Sequence, residues 1–334
     1  MKRRMTRLAW WGAGFAILSL IGCVVIVWNA STELVSPARR ALQDYHREWL
    51  DRPFEHGMTI KRFSALNGQA PCLLALPDAA AGLSKRGEKV RRQLQASGVE
   101  LAPFGTVFGN IVLLHGRNGR KEDLLPVAER FCAVGFRCVI PDLPARGDSP
   151  LQRVRFGETN FEASFPGEVL KEAVSRFGFP SENSGLWGMS MGGAFLARAA
   201  SQPDAPWKAL VVVCSFDALD VVVRQKVASY AGVAAPLLTR VIAEICVVRG
   251  GVNLSTVRPA EWAAKVTTPV FIAHGEKDAL ITPSQGRRLY EAYGSSDKMW
   301  TVVIGGDHDR VLVTEHPLYA EMSAWYLKYL RPTK

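Results

Sequence analysis

Short apolar runs alternate with helical segments along most of this chain, and this alternation limits the possible fold more than any other feature. "NIVLLHG", starting at Asn110, is a continuous apolar run, as in a strand buried on both faces. Similar runs follow in "FRCVIPD", "SGLWGMS", "ALVVVCS", "TPVFIAHG" and "KMWTVVIGG", with helical periodicity between them. The pattern predicts an α/β fold with a mostly parallel central sheet and helices on both faces. Such a sheet carries its chemistry at the carboxyl ends of its strands.

Three departures from the alternation define the predicted domain organisation. "MTIKRF" and "PCLLAL" predict two strands around an "NGQ" turn, so the main domain is expected over residues 58–334. Residues 79–98 predict a basic helical insertion bounded by glycines. Residues 216–262 are helical and too long for a plain crossover, and they predict a small helical cap over the strand ends.

The first thirty residues predict a membrane anchor outside the globular domain. Leu8 to Trp28 is an uncharged stretch that spans roughly 31 Å as a helix, close to the ~30 Å hydrocarbon core of a bilayer. An uncleaved anchor is favoured over a cleaved signal peptide and over a lipoprotein signal ending at Cys23 in "LIGC". Residues 31–57 are predicted to form a helical juxtamembrane segment.

The formal net charge of +10 suggests anionic surroundings, but no nucleic-acid-binding motif is recognisable and no nucleic-acid partner is expected. A second basic cluster follows Lys85, which favours a solvated helix face over contact with anionic lipid. The six cysteines have neither paired nor metal-ligand spacing, so we expect no disulfide framework, and we expect no metal site.

"GLWGMSMGG", from Gly185 to Gly193, places glycine two residues before and two residues after Ser190. A predicted strand precedes this serine and a predicted helix follows it, so the chain must reverse within about two residues. Side chains at Gly188 and Gly192 would collide in such a corner. The serine hydroxyl therefore projects from a strained turn at the start of a helix, where backbone N–H groups favour an incoming anion.

From Met58 to Leu330 the chain resembles the α/β-hydrolases, in which G-x-S-x-G forms the nucleophile elbow. "LLHGRNG", "PDLPARGDS", "HGEKDALITP" and "GGDHDR" resemble the family's loops after successive strands, in the family's order. The resemblance implies an α/β-hydrolase fold without a cofactor. It also implies a triad and two oxyanion donors: Ser190 as nucleophile, Asp278 as acid, His308 as base, and the backbone N–H groups of Arg117 and Met191.

Two other acids compete with Asp278 for its predicted role. Glu276 lies in the same loop, and Asp217 lies after the preceding strand, where some relatives carry the acid. A carboxylate at any of these positions would set the tautomer of the histidine, which then accepts the serine proton.

The predicted function is a serine hydrolase that cleaves a carboxylic ester or thioester, of lipid-like character, through an acyl-enzyme. A serine aminopeptidase-like activity on peptide or amide bonds is the alternative within enzymes, and a non-catalytic tethered binding protein is the alternative outside them. Four basic residues before Leu8 outnumber the three that follow Trp28 within about twenty residues, so the hydrolase domain is expected on the non-cytoplasmic side of a membrane.

Overall fold

The computed structural model describes residues 2–332, with side chains for Trp11, Leu18 and the residues from Ile21 onward. Within these residues, eight strands form one sheet in the order β1-β2-β4-β3-β5-β6-β7-β8. The strands are β1 (Met58–Ala65), β2 (Ala70–Pro77), β3 (Gly109–Leu114), β4 (Phe136–Pro141), β5 (Ser184–Met189), β6 (Trp207–Val213), β7 (Val270–Gly275) and β8 (Lys298–Val303). β2 is antiparallel to both β1 and β4, and all other neighbouring strands are parallel, which confirms the predicted mostly parallel sheet.

Helices connect most of the strands. In chain order, the helices of the described residues are α1 (Lys2–Val35), α2 (Asp44–Asp51), α3 (Lys85–Ala96), α4 (Leu125–Ala133), α5 (Asn160–Phe177), α6 (Met191–Ala200), α7 (Leu219–Ala231), α8 (Ala235–Gly250), α9 (Pro259–Ala263), α10 (Pro283–Ala292) and α11 (Leu318–Leu330). Short 3-10 turns occupy Pro53–His56, Lys121–Leu124, Gly232–Ala234 and Val311–Val313.

The sheet separates two apolar cores, and β3 shows why its strands must be apolar throughout. Ile111 and Leu113 pack into one core with α3, α4 and α11. Val112 and Leu114 point to the opposite face, into a core with α5, α6, α9 and α10. Since successive side chains of a strand alternate between faces, a strand between two helical layers has no polar face.

α1 continues past the boundary predicted at residue 30, to Val35, and its end packs against the domain. Val27, Ser31 and Val35 are buried, and the two valines belong to the same core as α5 and α6. Most side chains of the predicted anchor, Leu8 to Trp28, lie outside the described residues, so the structure gives its backbone as helix and little more.

The predicted juxtamembrane helix over residues 31–57 is only partly helical. α1 ends at Val35, two residues before Pro37, whose ring disfavours a helical conformation at the residue before it. The chain then runs without regular structure to Gln43, and α2 follows. The break in the helix therefore follows from Pro37, and the charge pattern of residues 31–57 did not reveal it.

The predicted basic insertion, residues 79–98, contains α3, which packs on α4 and α11 through Val90 and Leu94. Several of its cations bind protein groups. Arg91 donates to the carbonyl oxygens of Ala133 and Ala102, and Lys89 is 3.6 Å from a carboxylate oxygen of Glu315.

The cap predicted over residues 216–262 is shorter in the structure. α7 and α8 form a helical hairpin around a turn at Gly232, and this hairpin is the cap. α9 packs instead against α6 and α10 on the sheet, and Trp262 and Ala263 lie in the core there. The cap therefore ends with α8 at Gly250, and the helix that follows belongs to the body of the domain.

Candidate active site

Ser190 occupies a strained corner between the end of β5 and the first residue of α6. Its backbone angles, φ 55° and ψ −119°, are rare for a residue with a side chain. A Cβ atom on Gly188 would overlap the carbonyl oxygen of Gly192, and one on Gly192 would overlap the carbonyl oxygen of Leu114. The two flanking glycines are thus required by backbone contacts across the elbow and from β3.

Ser190, His308 and Asp278 form a continuous hydrogen-bonded relay. The His308 Nε2 atom lies 3.1 Å from Ser190 Oγ, and its Nδ1 atom lies 2.7 Å from Asp278 Oδ2. The three residues follow β5, β8 and β7, which are parallel and end at one edge of the sheet. The structure therefore brings together the three side chains that the sequence predicts for the triad.

Asp278 is held as a carboxylate by its surroundings. Its Oδ1 atom accepts hydrogen bonds from the backbone N–H groups of Leu280 and Ile281, at 3.0 and 2.8 Å. The buried His274 Nε2 atom is 3.5 Å from Oδ2. Burial alone would raise the pKa of Asp278, but the two imidazoles and the Ile281 N–H outweigh it and hold this pKa well below its usual range. The ionised group can then accept the Nδ1 proton of His308 and select its tautomer.

The two competing acids are engaged elsewhere. Asp217 is paired with Arg288, whose Nη2 atom lies 3.3 Å from Asp217 Oδ1. Glu276 accepts a hydrogen bond from the backbone N–H of Gly305 at 3.0 Å. Of the three acids considered from the sequence, Asp278 is the one in contact with His308.

The predicted oxyanion donors lie on the two loops that meet at Ser190. Arg117 follows the His115–Gly116 pair after β3, and a Cβ atom on Gly116 would be 3.5 Å from Ser190 Cβ. Met191 is the first residue of α6. Neither the Arg117 nor the Met191 backbone N–H donates a hydrogen bond to any residue that the structure describes. Both are therefore available to a substrate oxygen, and the helix N-terminus at Met191 favours a negative one.

Arg146 holds the loop that carries Arg117 in place, and no sequence motif indicated a function for this residue. Its buried guanidinium donates through Nε to the carbonyl oxygen of Arg117 and through Nη1 to that of Ala145, at 3.0 Å for the second. Burial, reinforced by the nearby charge of Arg117, lowers the pKa of Arg146 to about 9. The sequence offered one indication of a role for Arg146, its position inside "PDLPARGDS". The carbonyl oxygen that it binds belongs to a residue 29 positions earlier in the chain.

Buried ion pairs join the loops after β3 and β4 behind the oxyanion segment. Lys121 Nζ lies 2.7 Å from Asp142 Oδ2, and the Lys121 backbone N–H donates to Asp142 Oδ1 at 2.8 Å. Arg120 binds Glu122 and Asp148 in the same cluster. These contacts fix the loop that carries Arg117 to the body of the sheet.

Cys214 also approaches the relay, and Cys214, Asp278 and His308 each place a possible metal ligand within 4.8 Å of the others. Burial and the charge of Asp278 raise the pKa of the Cys214 thiol well above its usual range. A neutral thiol is a poor ligand, and the carboxylate and imidazole already bond to each other. The chemistry of these donors therefore fits a proton relay better than a metal centre.

A cavity of about 530 Å³ lies over Ser190. Ser190, His308 and the His115–Gly119 loop form its polar end. The wall formed by the cap and α1 is mostly apolar: Leu219, Val222, Val223, Val227, Tyr230 and Ile242 of the cap, and Ala30 and Leu34 of α1. Charged residues also line the cavity: Glu33, Arg40, Arg117, Asp123, Lys226 and Asp309. The volume lies within the roughly 300–1,000 Å³ typical of sites for small organic ligands.

The end of α1 also contacts the oxyanion loop directly, which the sequence did not predict. Arg117 Nη1 lies 3.2 Å from both the carbonyl oxygen and a carboxylate oxygen of Glu33. α1 and the loop beside Ser190 are thus joined by an ion pair at the rim of the cavity.

Comparisons with known proteins agree with this fold. The sequence model of the family described as the alpha/beta hydrolase fold matches residues 109–238. An esterase of Pyrococcus furiosus has a similar structure, with a TM-score of 0.62 and 15% identity over 89% of this chain and 98% of that one. A 2,6-dihydroxy-pseudo-oxynicotine hydrolase is similar with a TM-score of 0.56 and 15% identity, over 83% of this chain and 70% of that one.

A curated relative is an Escherichia coli protein described as an uncharacterized 31.7 kDa protein in the traX-finO intergenic region. It is 28% identical over 227 residues, which is 56% of this chain and 79% of that protein. The sheet order and the family match define a protein with the α/β-hydrolase fold.

Proposed function

We propose that this protein is a serine hydrolase that cleaves carboxylic esters or thioesters through an acyl-enzyme. The observation that carries the proposal is the relay from Ser190 through His308 to the ionised Asp278, beside two unbonded backbone N–H groups. A serine hydroxyl is a weak nucleophile until an adjacent base accepts its proton. This arrangement supplies such a base, a group that orients it, and donors for the developing oxyanion.

The steps follow from these positions. His308 Nε2 removes the Ser190 proton while Oγ bonds to the substrate carbonyl carbon, and the carbonyl oxygen becomes an oxyanion near the Arg117 and Met191 N–H groups. The carbon–oxygen or carbon–sulfur bond then breaks, and His308 returns the proton to the departing alcohol or thiol. Water, activated by His308, hydrolyses the acyl-serine and regenerates the free hydroxyl. No cofactor enters these steps.

The cavity favours an uncharged acyl group over the free amino terminus that an aminopeptidase binds. Its wall toward the cap is mostly apolar, and two of the three acids that line the cavity are already paired. Glu33 pairs with Arg117, and Asp123 is bound by Arg40 and His46. The third, Asp309, is exposed beside His308. An apolar wall opposite the nucleophile suits the chain of a lipid-like ester.

The proposal includes tethering by α1, with the domain on the non-cytoplasmic side. Ile21, Val24 and Ile26 are exposed apolar residues of this helix, and the uncharged stretch that contains them, Leu8–Trp28, is long enough to cross a bilayer. The excess of basic residues before Leu8 supports the orientation. Protease added to intact spheroplasts should digest the domain, whereas digestion only after lysis would reverse the proposed orientation.

A fluorophosphonate probe and a substrate series test the activity. The full-length protein in detergent should be labelled, and it should hydrolyse p-nitrophenyl esters faster than aminoacyl p-nitroanilides. Ser190→Ala should lose both labelling and hydrolysis, while Ser201→Ala, at the far end of α6, should retain both. Preference for the aminoacyl anilides would indicate the peptidase alternative. Absence of labelling and of turnover in the folded wild type would indicate a tethered binding protein.

A further inference from the structure

We propose that the α7–α8 hairpin and the exposed side of α1 form one surface that enters one leaflet of an anionic phospholipid bilayer. Through this surface a lipid ester would reach the cavity, and this part of the inference rests on the function proposed above. The surface, termed the cap face, consists of the exposed residues of Ile21–Trp28 and Tyr230–Val248.

The cap face exposes more large apolar side chains than a surface in water normally keeps together. Val233 is fully exposed, Leu237 is 68% exposed and Val248 is 82% exposed. Tyr230, Val241 and Val247 are exposed beside them. A contiguous apolar patch of this kind marks a surface that contacts a partner or a membrane.

The dimensions of the hairpin fit contact with a membrane surface better than a crossing. Leu219–Gly250 is apolar enough for a transmembrane span by composition. The turn at Gly232 divides it into helices of 13 and 16 residues. At about 1.5 Å per residue these arms are roughly 20 and 24 Å long, shorter than a hydrocarbon core of about 30 Å.

Close packing makes α1 and α8 parts of one surface. A Cβ atom on Gly250 would overlap the side chain of Val35, so the carboxyl ends of the two helices meet. Arg249 Nη1 donates to the carbonyl oxygen of Trp28 at 2.9 Å and to Ser31 Oγ at 2.6 Å, and its guanidinium lies 3.8 Å from the Trp28 ring centre. Because α8 packs along α1 from this junction, the turn at Gly232 points toward the amino end of α1, where its apolar stretch lies.

The charges on the hairpin identify the kind of membrane. Arg224, Lys226 and Arg240 are exposed and form no ion pair with any residue that the structure describes. Of the two acids on the hairpin, Asp220 is paired with Arg258, and Glu244 is exposed on α8 between Val241 and Val248. Among the described residues, the three unpaired cations therefore outnumber the one unpaired acid. An apolar face flanked by unpaired cations is the pattern of a helix that binds at an anionic lipid interface.

The cavity reaches this same face. Tyr230 lines the cavity and is 57% exposed, and Val227, one turn earlier on α7, also lines it. An acyl chain that left the bilayer at the hairpin would therefore meet an apolar wall that leads to Ser190.

Site-specific fluorescence tests the cap face without relying on catalysis. The full-length chain carrying Cys23→Ser, with the other five cysteines buried, is labelled with an environment-sensitive fluorophore at Val233→Cys or at Phe54→Cys. Phe54 is 57% exposed, in the turn before β1, and serves as the matched control. In phosphatidylcholine–phosphatidylglycerol vesicles with nitroxide on the lipid acyl chains, the label at position 233 should be quenched and the label at position 54 should not.

Equal quenching at both positions would overturn the proposal. A label at position 233 that is shielded from both aqueous iodide and the nitroxide lipid would also overturn it, because the face would then be covered by a second copy of the chain.

A kinetic comparison tests whether the face admits substrate. Val233→Ser with Leu237→Ser removes two apolar side chains that do not line the cavity, and Phe54→Ser with Met299→Ser is the control pair. For an ester dissolved in vesicles, kcat/KM should fall about 10-fold in the cap-face pair, while a dissolved short ester should be hydrolysed at the wild-type rate.

Equal loss on both substrates would contradict admission through the cap face. If the wild type hydrolyses no ester but position 233 is still quenched by lipid, the proposed function fails and the membrane-binding surface stands.

Discussion

The edge of the sheet around Ser190 holds its groups with directional bonds, whereas the cap above it presents a smooth apolar wall. Asp278 accepts two backbone hydrogen bonds and contacts two imidazoles, and the oxyanion loop is anchored by Arg146. Across the cavity, Val223, Val227 and Ile242 contribute apolar surface. Proton transfer requires atoms placed within about 0.5 Å, whereas apolar attraction has no direction and accepts many chain shapes.

This difference separates two kinds of effect. Changes at the sheet edge should alter turnover on every substrate by the same factor. Changes in the cap should reorder substrates and leave the intrinsic reactivity of the serine intact. Variants on the two sides should therefore differ in how their effects depend on the substrate.

Removing the nucleophile should have the largest effect. Ser190→Ala should reduce kcat at least about 10⁵-fold on short and long esters alike, because it removes the hydroxyl that contacts His308 Nε2. Circular dichroism should show an unchanged fold. A residual rate within about 100-fold of the wild type would remove Ser190 from the mechanism.

Asp278→Asn should come second, with kcat reduced about 10³- to 10⁴-fold, because the amide can donate to Nδ1 and stabilise the wrong tautomer of His308. Asp217→Asn is the matched control. It weakens a pair with the half-exposed Arg288 and should change kcat less than about 3-fold. A larger loss of kcat in the Asp217 variant would indicate that Asp217, in the loop after β6, is the acid that orients His308.

Truncations of α1 test how much its carboxyl-terminal end, which packs against the domain, contributes to stability. Deleting residues 2–20 leaves Val27 and Val35 in place and should leave the unfolding midpoint unchanged. Deleting residues 2–36 removes both valines and exposes the apolar surface that they cover. The free energy of unfolding should fall by about 3–6 kcal/mol, since each buried valine contributes roughly 1.5–3 kcal/mol. Denaturant titration in one detergent measures both. Equal stability of the two truncations would show that the end of α1 does not support the domain.

The Glu162 side chain should make the free energy of unfolding depend on pH. It accepts hydrogen bonds from the Arg155 and Gly157 backbone N–H groups, on either side of the cavity residue Phe156, and burial raises its pKa to about 7. The folded state therefore binds a proton that the unfolded state releases near pH 4.5. Stability from this group is complete below that pH and is lost as pH rises through 7, by about 3 kcal/mol at most.

Glu162→Gln keeps a neutral side chain at every pH, so the fall in unfolding free energy between pH 5 and pH 8 should be smaller than in the wild type. Glu168→Gln, an exposed position of the same helix, is the control. An identical fall in all three proteins would mean that Glu162 titrates normally in the folded state.

Narrowing the cavity should have the smallest effect and a different signature. Val227→Phe or Ile242→Phe should lower kcat/KM for long-chain p-nitrophenyl esters about 10-fold relative to the acetate, because the added ring occupies acyl space. Ala234→Phe, on an exposed residue of the turn that does not line the cavity, should leave the chain-length profile unchanged. An equal loss of kcat/KM at all chain lengths would indicate that these residues affect the chemical step and not the binding of the acyl chain.

The candidate triad could be predicted because each member belongs to a loop that directly follows a strand. The elbow glycines, the acid loop and the histidine loop are local patterns, and parallel strands bring their carboxyl ends to one edge. Arg146 could not be assigned in this way, since its partner, the Arg117 carbonyl, belongs to a different loop. The extent of the cap was misjudged for a similar reason, because α9 is apolar like its neighbours but packs against α6 and α10.

The sequence by itself determined the strand-and-helix alternation, the α/β-hydrolase fold and the positions of Ser190, Asp278 and His308, because these depend on periodicity and on residues close together in the chain. Tertiary structure alone decided that Asp278, and not Asp217 or Glu276, contacts His308. It also decided that α1 joins the active-site wall, through the ion pair of Glu33 and Arg117, 84 residues apart. Contacts between distant segments depend on how whole helices pack on the sheet, and no local pattern records that packing.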